Sequence, residues 1–488
     1  MKALVIGAGA NELVAAHYLA RAGHQVLVLN PRSGDQDELD EPGWVPLRIA
    51  RALSLGRRGL MVHYPDPWTS AALPDGGRLE LWHDMAGSVA ALRKLSPRDA
   101  AKWPQFCERM TRLSRLLETV YTASPPAFTS KRAGDLAQLA GLGLKVRRLG
   151  RQGMEDLLRF LPMSVADLLD DNFESHVLKG LLGAAGVTNL CQGPRSGGTA
   201  FRLLHHHVGN RPGVFRPPHS NLSQVLIKLP GIEIRNGTPV GGIVVREGRV
   251  TGVKVANGEE ISADLVLSGA DPGRTLLELV DPGWLDPVLA RAVRNIRSRG
   301  VAARVTLAVD RAPGHPTFVV APSLDYVERA YDDAKHGRVS RAPWLEARSV
   351  GKTADGRHKL AVRVQYAPYA LADGEWDDDR RRVLGDIVLK VLSAHGADLG
   401  SAIVERVLSP RDLEQEYGFP EGQEEHAEPA LDQLFWMRPV PQLARYRTPI
   451  AGLYLCGPGT HPGGGIAGAS GHNAAREIMR DLRRGQVR

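Results

Sequence analysis

The feature that most constrains this chain lies at its start. Lys2 to Ile6 form a short apolar run ended by Gly7-Ala8-Gly9. An apolar helical spacing follows at Leu13, Ala16, Leu19 and Ala20 as far as Gly23, and a second apolar run spans Gln25 to Leu29. Strand, glycine turn, helix and strand in that order make a β-α-β unit, which requires a parallel sheet and a right-handed crossover. The turn suits a pyrophosphate, because glycines let the backbone approach it and the helix N-terminus supplies positive charge. Gly7, Gly9, Ala10 and Asn11 are therefore candidate dinucleotide contacts. Two positions depart from the pattern. Glu12 stands where a third glycine allows close helix–strand packing, and it brings negative charge toward a diphosphate. Asn30 ends the second strand, where an acidic residue would hold a ribose; an amide accepts that bond without charge assistance. A Rossmann-type unit that has lost its dinucleotide is the competing reading.

Composition narrows the class. With 488 residues, 43% of them hydrophobic, the chain has room for about two to four folding units of roughly 100–200 residues. Cys107, Cys191 and Cys456 lie far apart, so no disulfide framework or CxxC motif is present, which points to a reducing compartment, the cytoplasm. No apolar run reaches the roughly 18–20 residues that span a bilayer. The net charge of +8 is spread along the chain without a basic stripe or nucleic-acid module. The basic segment 144–151 suits either a solvated helix face or peripheral contact with an anionic membrane.

Residues 91–182 read as mostly helical, broken at Pro104, Pro125-Pro126 and Pro162. Between 232 and 268 the period changes to two, with turns at Glu247-Gly248 and Asn257-Gly258, predicting an antiparallel meander that ends in a buried strand. A last apolar strand at 452–456 meets Gly457–Gly471, with seven glycines in fifteen residues, and a closing helix follows from His472. Such a loop presses its backbone against a planar ligand and offers amide groups at the helix start. Gly457, Gly463, Gly464, Gly465 and Gly468 are its candidate contacts, with His461 and His472 beside it. Elsewhere, His205-His206-His207 is a poor metal site, since adjacent side chains do not converge on one ion. Ser196 and Ser470 lack a nucleophile elbow. Trp436, Met437 and Tyr446 suit either an apolar tunnel or core packing.

The segment THPGGGIAGASGHNAA, from Thr460, resembles the C-terminal signature of the phytoene desaturase and carotenoid isomerase family of flavoproteins. GAGAN with LVAAHYLARAGHQVLVL, SGGTAFRLLHHHVG, ADLVLSGADPGRTLLELV, VQYAPYALADGEWD and LDQLFWMRPVPQLARYRTPIAGLYLCG extend the likeness along nearly the whole chain. The resemblance implies an α/β, amine-oxidase-like flavoprotein. Its discontinuous Rossmann-type FAD/NAD(P)-binding domain would take 1–65, 211–275 and 431–488, and an inserted α+β substrate domain 66–210 and 276–430. It also implies that Gly7 and Gly9 face the FAD diphosphate, Asn30 the adenosine ribose and Val240 the adenine. Gly463 to Gly468 would approach the flavin ring and ribityl chain. The Arg-x-x-x-Gly-Gly usual after the second strand reads instead as residues 31–38, the turn near 220 as His219-Ser220-Asn221-Leu222, and the loop near 423 as Gln423-Glu424-Glu425-His426.

The expected activity is desaturation or isomerisation of C–C bonds in a long, mostly apolar polyene or lipid-like substrate, by hydride transfer to flavin. His461, His472 or His426 would move the accompanying proton, since imidazole titrates near neutrality. No metal is expected. The alternatives are a flavin-free descendant catalysing isomerisation or cyclisation, and a non-catalytic binding protein on the same fold.

Overall fold

The apolar runs Lys2–Ile6 and Gln25–Leu29 lie side by side in a five-stranded parallel sheet. Its order is Leu453–Leu455, Leu265–Ser268, Lys2–Ile6, Gln25–Leu29, Glu233–Arg235, so the first strand is central. Parallel sheets are covered on both faces, which explains the near-continuous apolar runs. One cover is the helix Ala10–Arg21, whose Leu13, Ala16 and Leu19 are buried with Ala474, Ala475 and Ile478 of the closing helix Ala469–Arg483. The computed structural model describes residues 1–33, 43–73, 76–127, 132–314 and 316–485. Most of the 31–38 segment, from Gly34 on, thus lies outside the described residues.

The predicted meander forms Val240–Arg246, Arg249–Val255 and Glu260–Ser262, an antiparallel three-stranded sheet. The strand after it, Leu265–Ser268, leaves the meander and enters the parallel sheet. In the helical region Pro104 does not end a helix: Pro97–Tyr121 runs through it. Ser96 caps that helix by accepting from Asp99 N, with Pro97 in the first turn, where its missing N–H costs nothing. Tertiary packing overrides the breaker, because Trp103, Phe106, Met110, Leu113 and Leu117 on one face are all buried.

A second, seven-stranded sheet has the order Ala402–Leu408, Ala302–Val309, His358–Gln365, Trp344–Lys352, Thr317–Val320, Thr69–Ala72, Arg78–Leu81. All its strands fall in 66–210 and 276–430, while those of the parallel sheet fall in 1–65, 211–275 and 431–488. One face packs Val305, Leu307, Leu345, Val362 and Val364 against Leu384, Val388 and Leu392 of the helix Asp378–Ala394. The opposite face is charged.

Candidate functional site

Two glycine turns of the parallel sheet meet. Gly7 adopts a left-handed φ of 98° and bonds from its N to Leu29 O, so the first strand turns sharply into the helix that Gly9 caps. Glu12, one turn into the helix, folds back into this cradle and is buried. A Cβ on Gly9 would stand 2.6 Å from Glu12 Oε2, and one on Gly7 3.3 Å from Glu12 Cγ. Gly269, after the strand Leu265–Ser268, has no Cβ on the side where Glu12 packs. The space that glycines leave for a diphosphate is held by this chain's own carboxylate. Asn30 is equally engaged: its Nδ2 donates to Asn236 Oδ1 at 2.9 Å, and its Oδ1 accepts from Arg32 N at 3.2 Å. Ala10 and Val240 are buried, and the Asn11 carbonyl faces Gly471 of the closing helix.

The second turn runs from Gly457 to Gly468, which caps the closing helix Ala469–Arg483. Gly463 and Gly465 have φ of 103° and 78°, which favour glycine. Trp44 N donates to Gly465 O and Ala467 N to Trp44 O, both at 2.9 Å, so one stretch of chain lies along the loop. On its other side stand polar side chains. A Cβ on Gly463 would meet Arg438 Nε at 3.2 Å, on Gly464 Glu425 Cγ at 2.5 Å, and on Gly465 His205 Nε2 at 3.2 Å. Gly457 lies against the Gly269 carbonyl, and Gly468 against Val14. Each candidate glycine of this loop therefore abuts protein.

Glu425 forms a buried ion pair with Arg202 and accepts from Asn189 Nδ2 at 3.1 Å. Burial raises its pKa, but Arg202, then His205 and Arg438, bring it below the usual carboxylate range. Arg438, fully buried, donates to the carbonyls of Glu425 (2.7 Å) and Pro458 (2.8 Å). Its own pKa is pushed down to about 10, mainly by burial. None of these three charged residues stands out in sequence. The available signal was the pair of acidic residues in Gln423-Glu424-Glu425-His426, since adjacent buried carboxylates require cations.

The three candidate proton carriers occupy separate environments. His461 lies under the loop with Nε2 3.1 Å from Val120 O, and burial takes its pKa to about 4. His426 has a left-handed φ of 61° and a pKa of about 3, again from burial. His472, buried in the closing helix, has Nδ1 2.9 Å from Tyr18 Oη, and burial takes it to about 3. All three are neutral at pH 7, so they accept a proton there only weakly. In the separate His205-His206-His207 triplet, His205 bridges Tyr121 Oη (2.8 Å) and Gly464 O (2.9 Å), and His207 bonds Val214 O (2.7 Å). Among the described residues no three His, Cys, Asp or Glu side chains converge as a metal requires.

Tyr446 is fully buried with its hydroxyl donating to His461 O, while Trp436 and Met437 are exposed, so the three line no common tunnel. Two clefts of about 320 and 270 Å³ are lined by charge around Asp135 and Arg445, and no residue of 457–471 lines them. No described helix is long and apolar enough to cross a membrane.

The model of the flavin-containing amine oxidoreductases matches residues 55–479. The pyridine nucleotide-disulfide oxidoreductase domain-containing protein 2 of Rattus norvegicus is 32% identical, over 99% of this chain and 94% of its own length. The hydroxyneurosporene desaturase of Cereibacter sphaeroides is 26% identical over 99% and 98%. The neurosporene-forming phytoene desaturase of the same organism is 25% identical over 99% and 94%. Among solved structures, an oxidoreductase from Methanosarcina mazei superposes with TM-score 0.59 at 17% identity, over 98% of this chain and all of that one. Cyclohexylamine oxidase from Brevibacterium oxydans gives 0.54 at 14%, over 99% of each chain. These two share the fold, an amine-oxidase-like α/β architecture.

Proposed function

Since the chain belongs to the flavin-containing amine oxidoreductase family, we propose that it is an oxidoreductase that takes FAD only against its own Glu12. The reading rests on the carboxylate in the glycine cradle. A diphosphate and Glu12 would claim the same space, and two anions at one helix N-terminus repel. As they stand, these residues do not fit an FAD diphosphate. The family likeness supports a long, mostly apolar substrate reacting at a C–C bond. The test is FAD titration followed by flavin fluorescence, with the wild type and Glu12→Gly side by side. The expected result is weak binding by the wild type and at least about tenfold tighter binding by the variant. Equal affinities would show that Glu12 does not compete.

One observation favours a second reading, a flavin-free descendant performing isomerisation or cyclisation, or a binding protein. Arg438, Glu425 and His205 already pack against the three glycines that would face a flavin. If Glu12→Gly stays colourless in excess FAD, this second reading replaces the first.

A further inference from the structure

Strands of the seven-stranded sheet alternate between core and the opposite face. On that opposite face Arg304 pairs with Arg363, and Arg363 with Glu346, in one row across three strands, with Arg348 one pleat further along. Loops add two more charges. Arg216 pairs with Glu346, and Glu424 accepts from Arg304 Nε and Nη2 at 2.7 Å and pairs with Arg363 Nη2 at 3.0 Å. Four arginines thus surround two glutamates. Arg348 Nη1 also lies 2.9 Å from His219 Nε2.

These groups are not wholly sealed in the core. Arg216 keeps 12%, Glu424 15% and Arg304 20% of its side-chain surface open, yet burial is the largest influence on the ionisation of all three. The field at this cluster is positive. Burial alone would raise Glu346, but Arg216, Arg348 and Arg363 hold it at about 2, and Arg304 with Arg363 hold Glu424 at about 2. Arg304 is pushed down by burial and then by Arg363. Unmatched polar atoms sit on the same face. Arg216 Nε is buried without a hydrogen bond, and so is the hydroxyl of Thr317, which pairs in register with Arg348. Buried excess charge and unmet donors are costly unless a ligand supplies the counter-charge. A chain of buried hydrogen bonds links this face to the glycine loop: Arg363 donates to Asn189, Asn189 to Glu425, and Glu425 lies under Gly464.

We propose that this arginine face binds the anionic group of the substrate, a carboxylate or a phosphate ester. The proposal rests on the reading that the chain acts on a small molecule with an apolar part. Calorimetric titration with decanoate, decyl phosphate and decanol, on full-length protein whose flavin content is read separately by absorbance, tests it. At least one of the two anions is expected to bind at least about tenfold tighter than decanol, with affinity falling as salt rises. Whichever anion is preferred names the headgroup. Arg348→Gln is expected to weaken that anion about tenfold and Arg348→Lys to restore it, both with the wild-type melting transition. Equal binding of anions and decanol, by wild type alone, overturns the proposal. Displacement of the bound anion by ADP overturns it too, because the arginines would then serve a cofactor diphosphate. An anion that binds equally well to flavin-free and flavin-loaded protein supports the proposal whatever becomes of the FAD reading.

Discussion

Two strand-to-helix turns of one parallel sheet are rich in glycine, and their glycines meet different things. At Gly7 and Gly9 the missing Cβ faces the end of a flexible side chain, Glu12. At Gly468 and Gly471 it faces the first helix itself, with Val14 at 2.7 Å and the Asn11 carbonyl closer still. Glycine marks a close approach in both turns, and only the neighbour tells whether the approach serves a ligand, a carboxylate or another helix. The first turn is adjustable; the second is a fixed joint between the opening and closing helices.

The largest expected effect breaks that joint. A Cβ at Gly471 would stand 1.8 Å from Asn11 O, backbone against backbone, so Gly471→Ala must separate two packed helices. A cost of about 3 kcal/mol or more is expected, at the upper end for overpacking. Gly9→Ala meets only the Glu12 carboxylate at a residue of ordinary φ, and should cost below about 1 kcal/mol. Thermal melts of the two variants decide the matter: equal losses would mean that the turns are equally rigid.

Next comes the ion pair under the loop. Glu425→Gln leaves Arg202 and Arg438 buried without their carboxylate, at an expected cost of about 3–5 kcal/mol. Adding Arg202→Met should recover most of it, which denaturant titration of the single and double variants would measure. A double variant no better than the single would show that Glu425 is held by the loop and not by Arg202.

A smaller effect separates the loop from the arginine face by pH. His205 and His461 have folded pKa values of about 4, against 6.5 when unfolded, so the unfolded chain binds more protons between these values. Their contribution is complete above about pH 6.5 and is lost as pH falls toward 4. Glu346 and Glu424, at about 2 against 4.5, lose theirs only between about pH 4.5 and 2. Melting temperature should therefore fall from pH 6.5 downward, and His461→Asn should flatten that first slope while leaving the acid limb unchanged. A slope unaltered by the substitution would mean that His461 is already protonated.

Much of the fold was legible because it is written in local periods: the β-α-β unit, the first two strands of the meander and the closing strand stand where the pattern puts them. Leu265–Ser268, by contrast, joins the parallel sheet, and the closing helix starts at Ala469, three residues before His472. The glycine positions of both turns were legible too. Their neighbours were not, since Glu12 meets Gly269 and Gly464 meets Glu425 only after distant segments fold together. Pro104 misled because helix propensity is local and the packing of Trp103 and Phe106 is not. The arginine face left a faint trace, a charged residue inside each of Ala-Arg-Val (303–305) and Val-Arg-Val (362–364). Single charges in apolar strands read as solvent-facing until the register aligns them.

The smallest expected effect lies at Asn30. An acidic residue there holds a ribose in dinucleotide-binding turns, so Asn30→Glu is the natural second step after Glu12→Gly. The structure argues that it adds little. Both ends of the Asn30 amide are already used, one on Asn236 Oδ1 and the other on Arg32 N. The side chain is buried, so a longer carboxylate must first break the Asn236 bond and leave that amide to find a new partner. The charge-assisted bond to a ribose then offsets a loss of similar size, both being on the order of 1–2 kcal/mol. Relative to Glu12→Gly alone, the double variant should bind FAD within about threefold. Fluorescence titration of the two proteins reads the difference directly. A gain of tenfold or more from the second substitution would reverse the ranking of the two departures, and would locate the obstacle to the dinucleotide at the ribose and not at the diphosphate.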